Sequence, residues 1–285
     1  MSEAVSKAFK SFRRVMAEPL GFLGVALVVI MIGGAIFADL LASAEPNRIS
    51  PRDRFMEPSL DHFLGTDHLG RDLFSRVLHG GRIALSVALL ATLGSLLIGI
   101  ILGLIAGYGP RWLDNLLILL FDSVKSFPTV MLALALVTLF GPSLTAVITV
   151  VILVNVPGYA RIIRTQTLTL KSAEFVTAAQ SMGAGAGRIL RVHILPNVIG
   201  PLLILASMDI PVVIAIEAGM SFLGLGVRPP TPSWGAILND GFTAIRDTPW
   251  IAIAGGVPII LTTLGFTFLG ETLRDVFDPR LKSRA

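Results

Sequence analysis

Few residues in this chain have the types and spacing for chemistry. Histidines stand at 62, 68, 79 and 193, without the short spacing of a metal-ligand set. Cysteine is absent, which removes thiolate ligands, thiol nucleophiles and disulfides. No nucleophile–base arrangement occurs, and no Gly-x-x-x-x-Gly-Lys-Ser/Thr phosphate loop. The expectation is a non-enzyme with no catalytic residues and no metal site, unable to hydrolyse ATP alone. What remains is charge set among apolar residues. Asp209 and Glu217 lie eight positions apart in one apolar stretch, on nearly the same helical face. A charge at mid-membrane costs about 3 kcal/mol on insertion scales, so that face should meet protein or water. It would line a translocation path or a subunit contact. Asp67, Arg71, Asp72 and Arg76 alternate in sign, punctuated by Gly65, Gly70, Gly80 and Gly81, which suggest turns. They are read as pairs holding a loop against the next span, each worth about 0–1 kcal/mol as a surface pair. Asp122 and Lys125, one turn apart, are expected to neutralise each other.

Composition says which elements must position these residues. Hydrophobic residues make up 53% of the chain and charged residues 15%, against roughly 25% charged in soluble domains. So few charges cannot cover so much apolar surface in water, and lipid becomes the solvent. Six stretches are long and apolar enough for membrane helices: Leu20–Leu41, Ile83–Tyr108, Trp112–Phe140, Leu144–Ala160, Ile194–Met220 and Trp250–Glu271. Pro128, Pro157, Pro201, Pro211 and Pro258 fall inside them and are tolerable where neighbours satisfy the freed carbonyls. The first stretch ends in Ala42-Ser43-Ala44 like a signal peptide, but its apolar run exceeds a signal core, favouring an uncleaved anchor. With the N-terminus inside, inner segments hold fourteen Lys and Arg and outer ones eight; Lys125, within a span, completes the chain's 23. That bias favours both termini in the cytoplasm. No basic tract is dense enough for nucleic acid.

The expected architecture is all-α, a single transmembrane domain over residues 1–285. It has an inner N-terminal segment 1–19, an outer loop 42–82, an inner loop 161–193 and an outer loop 221–249. Within the inner loop, Phe175, Ala178, Ala179, Met182, Ala186, Ile189 and Leu190 recur at helical steps. Gly183, Gly185 and Gly187 argue against one continuous helix and for two short ones around a glycine turn. Such a loop either receives another protein or lies on the bilayer. In the outer loop 221–249, Pro229, Pro230 and Pro232 exclude regular helix where they stand, and Trp234 and Trp250 suit the interfacial belt.

The inner loop resembles that of ABC importer permeases, whose pattern is Glu-Ala-Ala, three residues, Gly, nine residues, Ile, one residue, Leu-Pro. Here Ala178-Ala179, Gly183 and Leu195-Pro196 keep the full spacing. Thr177 stands where the family has Glu, with Glu174 one turn earlier, and His193 stands where it has Ile. The resemblance implies a coupling helix, built on Glu174, Thr177, Ala178, Ala179 and Gly183, seated in a cleft of an ATPase subunit. The stretch Gly65-Thr66-Asp67-x-x-Gly70-Arg71-Asp72, together with Ser221–Gly235 and Asp278-Pro279-Arg280-Leu281, is similar to the second permease subunit of dipeptide, oligopeptide and nickel importers. This implies a type I importer fold in a bacterial inner membrane. The implied partners are a sister permease, two ATPase subunits that use ATP and Mg, an extracytoplasmic binding protein, membrane lipid and a peptide substrate. The outer loops would then be a gate or a docking surface for the binding protein. A peptide carries an amine and a carboxylate, so Asp209 would suit its path. Transport would run by alternating access. Nickel or another small solute is the nearest alternative cargo. A self-sufficient secondary transporter should show paired broken helices in internal repeats, which this sequence lacks.

Overall fold

Helices suit so apolar a sequence because lipid offers no partner to a free peptide group, and each N–H and C=O must be met within the chain. The computed structural model describes residues 13–277. Lys7, Lys10 and the Asp278–Leu281 stretch lie outside the described residues. α1 spans Pro19–Ile36, α2 Leu73–Tyr108, α3 Arg111–Ser126, α4 Thr129–Phe140, α5 Leu144–Lys171, α6 Glu174–Ser181, α7 Leu195–Phe222, α8 Trp234–Thr243 and α9 Trp250–Phe277. A helical turn at Ala186–Arg188 and a wider π-helical stretch at Ile189–Ile194 lead into α7. α1, α2, α5, α7 with its lead-in, and α9 are each long and apolar enough to cross a membrane.

The expected span Trp112–Phe140 is instead two helices. α3 and α4 meet at an angle of 91°. Phe127 precedes Pro128 and adopts φ −85°, ψ 130°, the extended region that the following proline ring favours. Ion pairs tie α3 to α5, from Asp114 to Arg164 at 2.7 Å and from Asp122 to Arg161. The expected Asp122–Lys125 pairing is therefore replaced by a contact between helices.

Three loop boundaries also shift. The loop 42–82 ends at Asp72, because Arg76, His79 and Arg82 lie within α2. Their polarity hid a helix in which His79 and Arg82 meet Asp39 at 3.0 and 2.8 Å. Arg82 caps the end of α1, donating to the carbonyls of Ala35 at 2.7 Å and Ile36 at 3.1 Å and to Asp39 at 2.8 Å. The loop 161–193 begins only after Lys171, since Arg161 and Arg164 are neutralised by α3. The loop 221–249 contains α8, which starts two residues after Pro232. Ser233 caps it, its hydroxyl accepting the Ala236 N–H at 3.2 Å.

The core is held by close backbone approach rather than bulk. On α2, Gly99, Gly103 and Gly107 repeat every four residues along one face. A Cβ at Gly103 would lie 2.7 Å from Ile163 Cβ, and one at Gly107 2.6 Å from Thr167 Cβ. Small residues at this spacing let membrane helices pack backbone to backbone, and here they seat α5 on α2. α1 packs on α9 in the same way, with Gly24 beside the Leu269 backbone and Gly265 beside Leu27.

Candidate functional site

The inner loop folds as one short helix, α6, and a turn at Gly183, which sits at φ +82°, a conformation side chains rarely adopt. The second short helix expected is instead the lead-in Ala186–Ile194, continuous with α7. The apolar residues divide between two faces. Val176, Ala179, Ile189 and Ile194 turn inward, and all but Ala179 join one cluster with Leu96 of α2, Tyr159 and Ile163 of α5 and Leu202 of α7. Phe175, Ala178 and Met182 turn outward, with Met182 81% exposed. The expected single stripe is thus two surfaces. One is cemented to three spans and the other has no cover among the described residues. Glu174 and Thr177 are exposed beside it, and Thr177 donates to the Ala173 carbonyl at 3.3 Å. Leu195 and Pro196 stand where the π-helical stretch passes into α7.

On α7, Glu217 is 1% exposed and accepts the Ser221 hydroxyl at 2.7 Å. Its second oxygen has no partner among the described residues. Asp209 is half-buried, facing Tyr159 of α5 and Lys125 of α3.

The outer signature is a closed network. Thr66 and Asp72 form an isolated antiparallel bridge, with Gly65 at φ +77° and Gly70 at φ +74° making the turns. Thr66, Asp67, Arg71 and Asp72 are all at most 6% exposed, so a surface-pair magnitude does not apply. Asp67 accepts the N–H groups of Leu69 at 2.8 Å and Arg71 at 3.0 Å, and Arg71 Nε at 2.6 Å. Asp72 caps α2 by accepting the Ser75 N–H at 2.8 Å. It also meets the Ser75 and Ser43 hydroxyls and His62 Nδ1, the last at 2.8 Å. Burial alone would raise its carboxyl, but the Ser75 N–H, His62 and the two hydroxyls hold it below the usual carboxylate range.

Several participants escaped sequence reasoning. Arg71 Nη2 lies 3.5 Å from Asp240 on α8, where burial pushes the Asp240 carboxyl up against the pull of His68, Arg71 and Arg76. Ser233 followed by Trp234, Ile237 and Gly241 at helical steps was the available signal for that helix. Trp234 is not interfacial: it is 1% exposed, and its Nε1 donates to the Val77 carbonyl at 2.8 Å. Gly80 and Gly81 are not turns but the flat bed for its ring, with Cβ positions 3.0 and 3.1 Å from indole carbons. Ligand atoms of Asp67, His68 and Asp240 lie within 4.8 Å of one another, with Arg71 ion-paired to both carboxylates.

Comparison with known proteins gives the arrangement a context. The profile of the family described as "Binding-protein-dependent transport system inner membrane component" matches residues 99–283. The chain is 39% identical to the dipeptide transport system permease protein DppC of Alkalihalophilus pseudofirmus, over 98% of this chain and 92% of that one. It is 38% identical to the glutathione transport system permease protein GsiD of Pectobacterium atrosepticum, over 95% and 91%. To the di/tripeptide transport system permease protein DppC of Pseudomonas aeruginosa the identity is 36%, over 97% and 93%. Among solved structures, the inward-facing methionine ABC transporter MetNI matches with a TM-score of 0.58 at 17% identity, covering 71% of this chain and 97% of that chain. That likeness concerns the fold: a type I importer permease.

Proposed function

The chain belongs to the family of binding-protein-dependent transport system inner membrane components, and on that premise we propose that it carries peptides into the cell as one of two permease subunits. Two ATPase subunits would supply the energy, using ATP and Mg, and an extracytoplasmic binding protein would deliver the cargo. The termini would be cytoplasmic. The substrate class rests on the named relatives, which transport dipeptides, di/tripeptides or glutathione. The coupling role rests on one observation, the two-faced inner loop. Phe175, Ala178 and Met182 offer an apolar surface to a partner. Beneath them Val176, Ile189 and Ile194 are locked to α2, α5 and α7. Closure of an ATPase dimer against the outer face of this loop would move three spans as a unit and switch access from one side to the other. Asp209 would stand on the path and the outer network would brace the gate.

The test is ATP hydrolysis by the complex that copurifies with a tagged chain, reconstituted with its binding protein and short peptides. Peptides should stimulate hydrolysis. Gly183→Val should abolish the stimulation while leaving the chain in the membrane. Nothing lies within 4 Å of a Cβ at this position, so the penalty is local backbone strain of about 1–3 kcal/mol. A preparation without any copurifying ATPase would defeat the reading.

A further inference from the structure

One cavity on the outer side, of about 310 Å3, has a different character from the apolar clefts between helices. Its polar lining comes chiefly from His68, Arg71, Arg76, Ser221, Arg228 and Asp240. Three guanidinium groups meet two carboxylates here, those of Asp67 and Asp240. Arg71 is matched to both, at 2.6 and 3.5 Å. Arg76 is 3% exposed, and its Nη1 donates only to the Pro46 carbonyl at 3.2 Å and weakly to Asn47 at 3.5 Å. Its Nε–H has no acceptor among the described residues, with Asp67 Oδ2 standing off at 3.7 Å. Arg228, exposed at the rim, donates to the Pro142 carbonyl at 3.1 Å. Neutral carbonyls do not cancel charge. The cavity therefore keeps a positive excess and an unfilled donor in surroundings where an unmet donor is costly.

We infer that this cavity receives the C-terminal carboxylate of an incoming peptide between Arg76 and Arg228. The inference rests on the peptide-importer reading above and names the group the permease recognises. Leu69, Val227 and Ala236 supply apolar wall for a terminal side chain, and the volume suits the end of a short chain. An acidic side chain on a folded binding protein would have to protrude far to enter. A divalent cation at Asp67, His68 and Asp240 would sit beside Arg71 and Arg76, whose charges oppose it.

The experiment compares dialanine with dialanine amide, binding to the wild-type permease–ATPase complex in nanodiscs without binding protein, by titration calorimetry. The free acid should bind about tenfold tighter or more, the ordinary weight of a charge-assisted hydrogen bond. Arg228→Gln should bring the two ligands to within about twofold of each other, and Arg228→Lys should restore part of the difference. Arg228 is exposed, so the variant retains the fold. Equal binding of acid and amide to wild type, or no measurable binding of either, overturns the inference. So does an Arg228→Gln loss that is equal for both ligands, the outcome expected of a binding-protein contact or a structural role. One Zn2+ site lost in His68→Ala, with acid and amide equal, would make the cluster a cation site instead. Peptide-stimulated ATP hydrolysis, measured with binding protein in the same preparation, separates the two failures. Its absence defeats the importer reading, whereas its presence with equal acid and amide binding defeats only the carboxylate cavity.

Discussion

A single carboxylate, that of Asp72, joins three parts of the outer region: the start of α2, the strap at Ser43 and the loop at His62. Asp72→Asn keeps a capping oxygen but removes the charge. It should lower the thermal midpoint of the purified protein at neutral pH by an amount equivalent to about 1 kcal/mol, the difference between charge-assisted and neutral hydrogen bonds. The pH dependence follows from the direction of the shift. A carboxyl held below its ordinary value of 3.8 contributes fully above that value and loses its contribution as pH falls through the folded-state value. The gap between wild type and Asp72→Asn should therefore be constant above about pH 5 and narrow below pH 3.8. A gap that persists unchanged in acid would mean that the carboxylate charge contributes nothing. At this scale the alternating signs of Asp67, Arg71, Asp72 and Arg76 were legible as partners, because charge complementarity is written in residue type. Their burial was not, because it depends on α8, which starts at Trp234, far beyond any local window. Trp234 shows the same limit: an indole suits an interface and a core equally until its neighbours are known.

Between elements, the seam of Gly99, Gly103 and Gly107 brings α5 onto α2 backbone to backbone. Gly103→Leu places a branched side chain where Ile163 already stands, and overpacking of this kind costs about 1–3 kcal/mol. The variant should show a lower thermal midpoint and a smaller yield of assembled complex. Gly33→Leu on α1, a position open to 4 Å, should match wild type in the same measurement. Equal behaviour of the two variants would remove the seam from the account. The long spans were legible because twenty apolar residues in a row admit little else in lipid. The glycine turn in the inner loop was legible for a similar reason, since three glycines in five positions do not sustain a helix. The break at Pro128 was not, because proline inside a membrane helix is often accommodated. Here the preceding Phe127 is extended, and the ion pairs to α5 hold α3 in its own direction.

For the whole molecule, the fold class and the alternation of long apolar helices with polar loops were readable, while the direction each loop face points was not. Facing depends on which helices arrive beneath the loop, and a stripe such as Phe175–Leu190 carries no mark of which members will be covered. The broken third segment also sets a length. α4 has 12 residues and reaches about 18 Å, against roughly 30 Å for a hydrocarbon core. Should acyl chains rather than protein cover its outward Met131, Leu139 and Phe140, the bilayer would have to thin there, at fractions of a kcal/mol per ångström. Lipid chain length would thereby become a control on transport. Peptide uptake should be faster in vesicles of short-chain phosphatidylcholine than in long-chain ones of equal fluidity. Uptake indifferent to chain length would mean that protein rather than lipid covers this face.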